Sequence, residues 1–205
     1  MSNYDIKAVV QEPYYKCPEW LETVEYKEYI ILSKKISNHD VDLFLVELFG
    51  YNDIDVDREP KQVFKDLLNE ESIVVAGGVL FVENHDKMIF PSCCSGLEGW
   101  RENLNGVIEG KSPCMGHDPS PTLEFHGDKV RIWSDDYKGK QNLPNSDIFY
   151  IEFDRHDLIS KLRNIETDLK EFACSPLYNR VNLFDKTLAE QMIEKFSAWF
   201  DLTNN

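Results

Sequence analysis

The sequence predicts an α+β fold, with a central, mostly antiparallel sheet of about five to seven short strands and N-terminal and C-terminal helices packed on it. Helical periodicity is strongest towards the two ends of the chain, whereas β-prone runs separated by turn residues fill the centre. Such segregation of helices from strands is typical of α+β proteins. The 205 residues contain no repeat and no linker rich in Pro, Gly or Ser, so we expect a single domain over residues 1–205.

In the N-terminal third, apolar residues within 20–28 fall at helical spacing, and residues 29–32 form a short β-prone run. The apolar run 41–49 follows possible N-cap residues and precedes Gly50, which predicts a helix, although a buried strand would have the same composition. A further helix should begin at Pro60, because proline favours the first helical turn. Its predicted buried face consists of Val63, Phe64, Leu67 and Leu68.

The centre of the chain is β-prone. The predicted strands lie at residues 73–75, 79–82, 88–90, 123–126, 130–133 and 148–153. Hairpin turns are expected at residues 76–78, 84–87 and 127–128. A short helix over Leu97–Leu104 interrupts the strands.

Two helices complete the chain. The first repeats apolar residues at helical spacing, and its predicted buried face is Leu158, Leu162, Ile165, Leu169 and Phe172. Asp185 is placed to cap the last helix, since an aspartate side chain accepts hydrogen bonds from the first backbone amides.

Charge excludes some classes of partner. With 37 acidic and 22 basic residues, the chain has a net charge of −15. This balance argues against nucleic acid, which requires Lys and Arg to neutralise phosphates, and equally against an anionic membrane surface. A basic protein would be attracted by such a field, although acidity can also serve solubility alone.

The cysteines and the N-terminus favour the cytosol. Five cysteines cannot all pair within one chain, so we expect free thiols. Residues 1–5 lack the basic-then-apolar pattern of a signal peptide, and no run approaches the length of a membrane span. No cofactor is predicted.

Two near-motifs fail on their spacing. Gly106 to Ser112 resembles a phosphate-binding loop but has Asn105 where the first glycine belongs, and a predicted helix precedes it rather than follows it. Asp53, Asp55 and Asp57 alternate like a calcium loop, but the glycine and the glutamate that such a loop needs are missing.

The segment from Phe90 to Pro121 is the best candidate for a functional surface, because it is predicted to be largely loop and holds three cysteines. In one hypothesis Cys93 or Cys94 is a nucleophile at a helix N-terminus, which would lower the thiol pKa. His117 would then act as the base and Asp118 would orient the imidazole.

In a second hypothesis, Cys93, Cys94, Cys114 and His117 bind zinc, since three thiolates and one imidazole make an acceptable tetrahedral set. Adjacent cysteines are a poor substitute for the usual paired spacing, because their side chains tend to diverge. In the third and commonest case, the cysteines are small buried hydrophobic residues.

The leading functional hypothesis is a non-catalytic acidic protein that binds a basic macromolecule, for example as an inhibitor or immunity-type antagonist. Its predicted binding residues are Asp53, Asp55, Asp57, Glu59, Trp100 and Trp133. The alternative is a small thiol-dependent enzyme or zinc protein centred on the loop from Cys93 to Asp118. The sequence decides neither whether the protein is an enzyme nor its oligomeric state.

Overall fold

The structure, a computed structural model, describes residues 4–11, 15–22, 25–84, 87–140 and 147–202. The predicted turn at 84–87 lies partly outside these residues. The strands are β1 (Tyr4–Gln11), β2 (Tyr29–Ile31), β3 (Gly77–Glu83), β4 (Lys87–Ile89), β5 (Thr122–His126), β6 (Lys129–Trp133) and β7 (Tyr150–Asp154).

The strands form two antiparallel sheets, with the orders β2-β1-β3-β4 and β5-β6-β7. In the second sheet, Phe125 pairs with Val130, and Val130 pairs with Phe153. Gly127 has the positive φ of 58° that the tight turn between β5 and β6 requires. The α+β class and the antiparallel pairing are therefore confirmed, and the predicted sheet is divided in two.

The helices are α1 (Asn38–Tyr51), α2 (Pro60–Asn69), α3 (Trp100–Glu109), α4 (Tyr137–Lys140), α5 (Arg155–Phe172), α6 (Tyr178–Asn182) and α7 (Lys186–Trp199). A 3₁₀ turn over Leu97–Gly99 leads into α3, and a π-helical segment over Ala173–Leu177 joins α5 to α6. The predicted starts of α2 at Pro60 and of α7 after Asp185 are confirmed.

Several predicted elements of the N-terminal half are wrong. Strand β1 was not predicted, although four of its residues are buried. The described residues within 20–28 are not helical, and residues 73–75 form no strand, so Gly77 and Gly78 begin β3 instead of making a hairpin turn. Gly50 lies within α1, which ends one residue later.

The chain divides into two compact units. Unit 1 comprises residues 1–8 and 77–165, and unit 2 comprises residues 9–76 and 166–205. The core of unit 2 is rich in phenylalanine, and the Phe44 ring centroid lies 5.1 Å from that of Phe172. The core of unit 1 includes Trp100 and Phe153. A single domain over residues 1–205 remains a prediction.

Among the described residues, no helix combines the length and the apolar character needed to cross a membrane.

Candidate functional site

The loop that follows β4 is built on Ser92, which is only 1% exposed. The backbone amide of Ser95 donates to the carbonyl of Ser92 at 2.9 Å and closes a turn around Cys93 and Cys94. The Ser92 hydroxyl accepts a hydrogen bond from the amide of Asp118 at 3.1 Å. Ser92 therefore links the cysteine turn to the segment that contains Asp118.

Two further contacts hold these segments together. The Ser95 hydroxyl donates to the carbonyl of Met115 at 2.9 Å, and the Gly77 amide donates to the carbonyl of Ser95 at 3.1 Å. Gly116 has a φ of 93°, which favours glycine, and it packs directly against Ser92. The backbone beside the cysteines is thus fixed by residues other than the cysteines.

Three of the four predicted zinc ligands lie together. The ligand atoms of Cys93, Cys94 and His117 all lie within 4.8 Å of one another, and all three residues are exposed. Cys114 is exposed but outside this group. Between Cys114 and His117, Met115 is buried and Gly116 redirects the backbone, which separates the two side chains.

The environment of Cys94 does not favour a nucleophile. The Sγ atoms of Cys93 and Cys94 are 3.4 Å apart. The hydrogen bond with Cys93 is the main cause of the raised pKa of Cys94, and desolvation and the neighbouring Cys93 and Asp118 groups act in the same direction. For Cys94 the predicted lowering of the thiol pKa is wrong, because its pKa is raised.

A cavity of about 210 Å³ adjoins this loop in unit 1. Its lining includes Cys94, Cys114, Glu98, Glu102 and Asn103. The side-chain amide of Asn103 donates to the Gly99 carbonyl at 3.1 Å, while its buried Oδ1 has no partner among the described residues. Cys94 and Cys114 therefore share this cavity, although only Cys94 belongs to the group with His117.

Helix α3 corrects two predictions about this segment. Phe90–Pro121 is less of a loop than expected, because α3 continues to Glu109. Trp100 is fully buried, so it is not the surface anchor that the sequence suggested. Gly110, in the left-handed conformation, ends the helix, so residues 110–112 follow a helix C-terminus, whose dipole repels phosphate.

The predicted acidic segment lies in unit 2, with all four acidic side chains exposed. Arg58 donates to Asp55 at 3.0 Å, and Lys16 forms an ion pair with Asp57. Asp55 accepts hydrogen bonds from the Asp57 amide and from Arg58. These two hydrogen bonds, the first more than the second, lower the pKa of Asp55. Within the described parts of the chain, Asp53 and Glu59 have no ion pair.

Beside this segment lies a shallow hollow of about 470 Å³ that sequence reasoning missed. Its lining is Glu19, Trp20, Val56, Asp57, Arg58, Glu59 and Pro60. Trp20 is half-buried, with its ring centroid 5.0 Å from that of Phe184. The Trp20 indole N–H has no partner in the described ranges.

Trp133 is half-buried, in unit 1. Its ring stacks on Tyr137 at 4.4 Å, and its indole N–H donates to Glu124 at 3.0 Å. Glu124 also accepts a hydrogen bond from the Tyr137 hydroxyl at 2.9 Å. Burial by itself would raise the pKa of Glu124. The hydrogen bonds from His126, Tyr137 and Trp133 together outweigh burial and lower that pKa. Contacts with Tyr137 and Glu124 therefore fix the orientation of the Trp133 ring, and part of its surface is exposed to solvent.

The negative charge is unevenly divided. Unit 2 has 22 acidic and 11 basic residues, a net charge of −11, whereas unit 1 has 15 and 11, a net charge of −4. Acidity is therefore concentrated in unit 2, and the cysteine loop belongs to the less charged unit.

No protein-family model, curated protein or solved structure matches this chain.

Proposed function

We propose that this protein is a non-catalytic binding protein and that the acidic surface of unit 2 engages a basic macromolecular partner. The observation that carries the proposal is the net charge of −11 on unit 2. A surface of one sign accelerates encounter with a partner of the opposite sign and disfavours other partners. A cationic protein is the class of partner that fits, and inhibition of that protein, as by an immunity-type antagonist, is the role proposed.

The segment from Asp53 to Glu59 supports this proposal. Lys16 and Arg58 form ion pairs with Asp57 and Asp55, and the Asp57 amide donates a hydrogen bond to the Asp55 carboxylate at 3.1 Å. Among the described residues Asp53 and Glu59 form no ion pair, so in this proposal their exposed carboxylates pair with cations of the partner. In this view the hydrogen bond from the Asp57 amide to Asp55 orders the segment, and the carboxylates of Asp53 and Glu59 contact the partner.

Trp20 supplies the apolar part of the proposed interface. Its indole packs edge-on against Phe49 at 6.0 Å and Phe184 at 5.0 Å, so it is held rigidly at the hollow. Tryptophan and tyrosine often provide the main binding energy of an interface, because they bury large surfaces at little entropic cost.

We also propose that the protein acts in the cytosol. Support comes from the five cysteines, all of them free thiols, which suit a reducing compartment. The thiol-dependent enzyme of the alternative hypothesis has weaker support, since the raised pKa of Cys94 keeps that thiol protonated at neutral pH.

The test uses a lysine-rich peptide as the basic probe and a glutamate-rich peptide of equal length as its control. Binding to the full-length protein is measured by fluorescence anisotropy at several salt concentrations. We expect the lysine-rich peptide to bind and its affinity to fall as salt rises, because exposed charges are screened beyond about 10 Å at 0.1 M salt.

Paired variants then locate the surface. Asp53→Asn with Glu59→Gln removes two charges from the acidic segment, and Asp128→Asn with Asp147→Asn removes two exposed charges from unit 1. The first pair should weaken binding clearly more than the second. Equal losses in both pairs, or binding insensitive to salt, would refute the proposed surface.

A further inference from the structure

We propose that Cys93, Cys94 and His117 form a binding site for one zinc ion, with a fourth coordination position open to solvent. This site lies in unit 1, and it goes beyond the proposed partner-binding function and does not depend on it. Two thiolates and one imidazole suit zinc, which prefers sulfur and nitrogen ligands in tetrahedral geometry.

The distances fit zinc with small side-chain movements. Zinc–sulfur bonds of ~2.3 Å in a tetrahedral site place two thiolate sulfurs roughly 3.8 Å apart. The Sγ atoms of Cys93 and Cys94 are already 3.4 Å apart. The imidazole of His117 has a ring nitrogen within 4.8 Å of both sulfurs. Adjacent cysteines, which were expected to diverge, converge in this turn.

The backbone of the site is held in place without metal. Ser92 joins the cysteine turn to Asp118, the residue after His117, through a buried hydroxyl. Ser95 joins the other end of the turn to Met115 at 2.9 Å. His117 is thus bracketed by two hydrogen bonds to the cysteine turn. A site whose supporting residues are already ordered loses little entropy when the ion binds.

The charge balance also favours a cation. Binding requires both thiols to lose their protons, so one Zn²⁺ replaces two protons and forms a neutral unit with the two thiolates. The Asp118 carboxylate lies close enough to Cys94 to interact electrostatically with its thiol, and it adds negative charge beside the ion.

The exposure of all three ligands leaves room for a fourth ligand. Structural zinc sites are closed by four protein ligands, whereas sites with three keep a position for water or an exogenous ligand. Cys114, the fourth predicted ligand, lies outside the group. Water is therefore the fourth ligand that the geometry favours.

The experiment titrates reduced, metal-free, full-length protein with Zn²⁺ in competition with a chromophoric chelator. Co²⁺ replaces zinc in a parallel titration, because thiolate–cobalt absorption reports sulfur ligation directly. Ligand variants are Cys93→Ser, Cys94→Ser and His117→Asn. Matched controls are Cys114→Ser and Cys174→Ser, which change exposed cysteines outside the group. Circular dichroism establishes that each variant is folded.

We expect one zinc per chain, with the affinity of each ligand variant lower by about a hundredfold and that of both controls unchanged. The cobalt absorption should weaken in both cysteine ligand variants. The proposal is overturned if wild-type protein fails to compete with the chelator. It is also overturned if His117→Asn has no effect, or if Cys114→Ser weakens binding as much as Cys93→Ser does.

Discussion

A Cβ atom placed on Gly116 would lie 2.3 Å from the Cβ of Ser92 and 2.4 Å from its Oγ. Real Cβ atoms do not approach other atoms so closely, so any other residue at position 116 would push the two segments apart. The positive φ of Gly116 adds a second reason for glycine. The approach of His117 to the cysteine turn depends on this one residue.

Gly116→Ala should therefore separate His117 from Cys93 and Cys94 and weaken zinc binding by about tenfold or more, as loss of a supporting residue does. Gly99→Ala is the matched control, because nothing lies within 4 Å of a Cβ at Gly99 and its φ of −63° suits alanine. Chelator competition measures both variants. Equal zinc affinities of Gly116→Ala and wild type would show that the close approach is not needed.

Cys93→Ala should make Cys94 more reactive. Because the hydrogen bond with Cys93 is the largest cause of the raised pKa of Cys94, its removal should return that pKa towards its ordinary value. More thiolate would then be present at neutral pH, and alkylation by iodoacetamide would be faster. Peptide mass spectrometry over a pH series gives the rate at Cys94 alone.

The control for this measurement is Cys114→Ser, which should leave the alkylation rate of Cys94 unchanged. If Cys93→Ala slowed the reaction or left it unaltered, the explanation from the cysteine pair would be wrong.

The buried ion pair between Asp42 and Arg180 should matter for stability. Arg180 donates to both carboxylate oxygens of Asp42, at 2.5 and 2.8 Å, and Asp42 is only 2% exposed. Asp42→Ala leaves the guanidinium without its counter-ion, and we expect it to lower the free energy of unfolding by about 3–5 kcal/mol. Urea denaturation measures this change.

Two comparisons sharpen that prediction. Asp42→Leu combined with Arg180→Met removes both charges and should restore most of the lost stability. Glu190→Ala breaks the exposed ion pair with Lys186 and should change stability by about 0.5 kcal/mol or less. A loss for Asp42→Ala as small as that for Glu190→Ala would contradict the assignment.

Asp185 should make the stability of the protein depend on pH. Hydrogen bonds from Lys61 and then from the Leu188 amide lower the pKa of Asp185 below its ordinary value of 3.8. The unfolded chain thus binds the proton more readily, so the charged carboxylate stabilises the fold above pH 3.8. This contribution is lost as the pH falls through the lower pKa of the folded state.

Asp185→Asn can still cap α7 but has no charge to lose. Its melting temperature should lie below that of wild type at pH 7, and the difference should shrink as the pH falls below 3.8. Thermal unfolding of both proteins between pH 7 and pH 3 measures this effect. A difference that stays constant over that range would exclude the carboxylate as its source.

Elements with a regular apolar period could be predicted from the sequence. Helices α2, α5 and α7 and strands β5 and β6 lie close to their predicted positions, because each buries one face and shows the matching period. Strand β1 was not predicted, since pairing with other strands rather than any local turn signal defines it. Trp100 likewise shows no local sign of being fully buried.

The sequence by itself determined the α+β class, the free thiols and the net charge, and it indicated the segment in which Cys93, Cys94 and His117 lie. Tertiary structure alone decided that Cys93 and Cys94 face His117 without Cys114, and that the acidity is concentrated in unit 2. The physical reason is that helices and turns depend on neighbours along the chain. Ligand groups and charged surfaces instead depend on distant segments held together by contacts such as the one between Gly116 and Ser92.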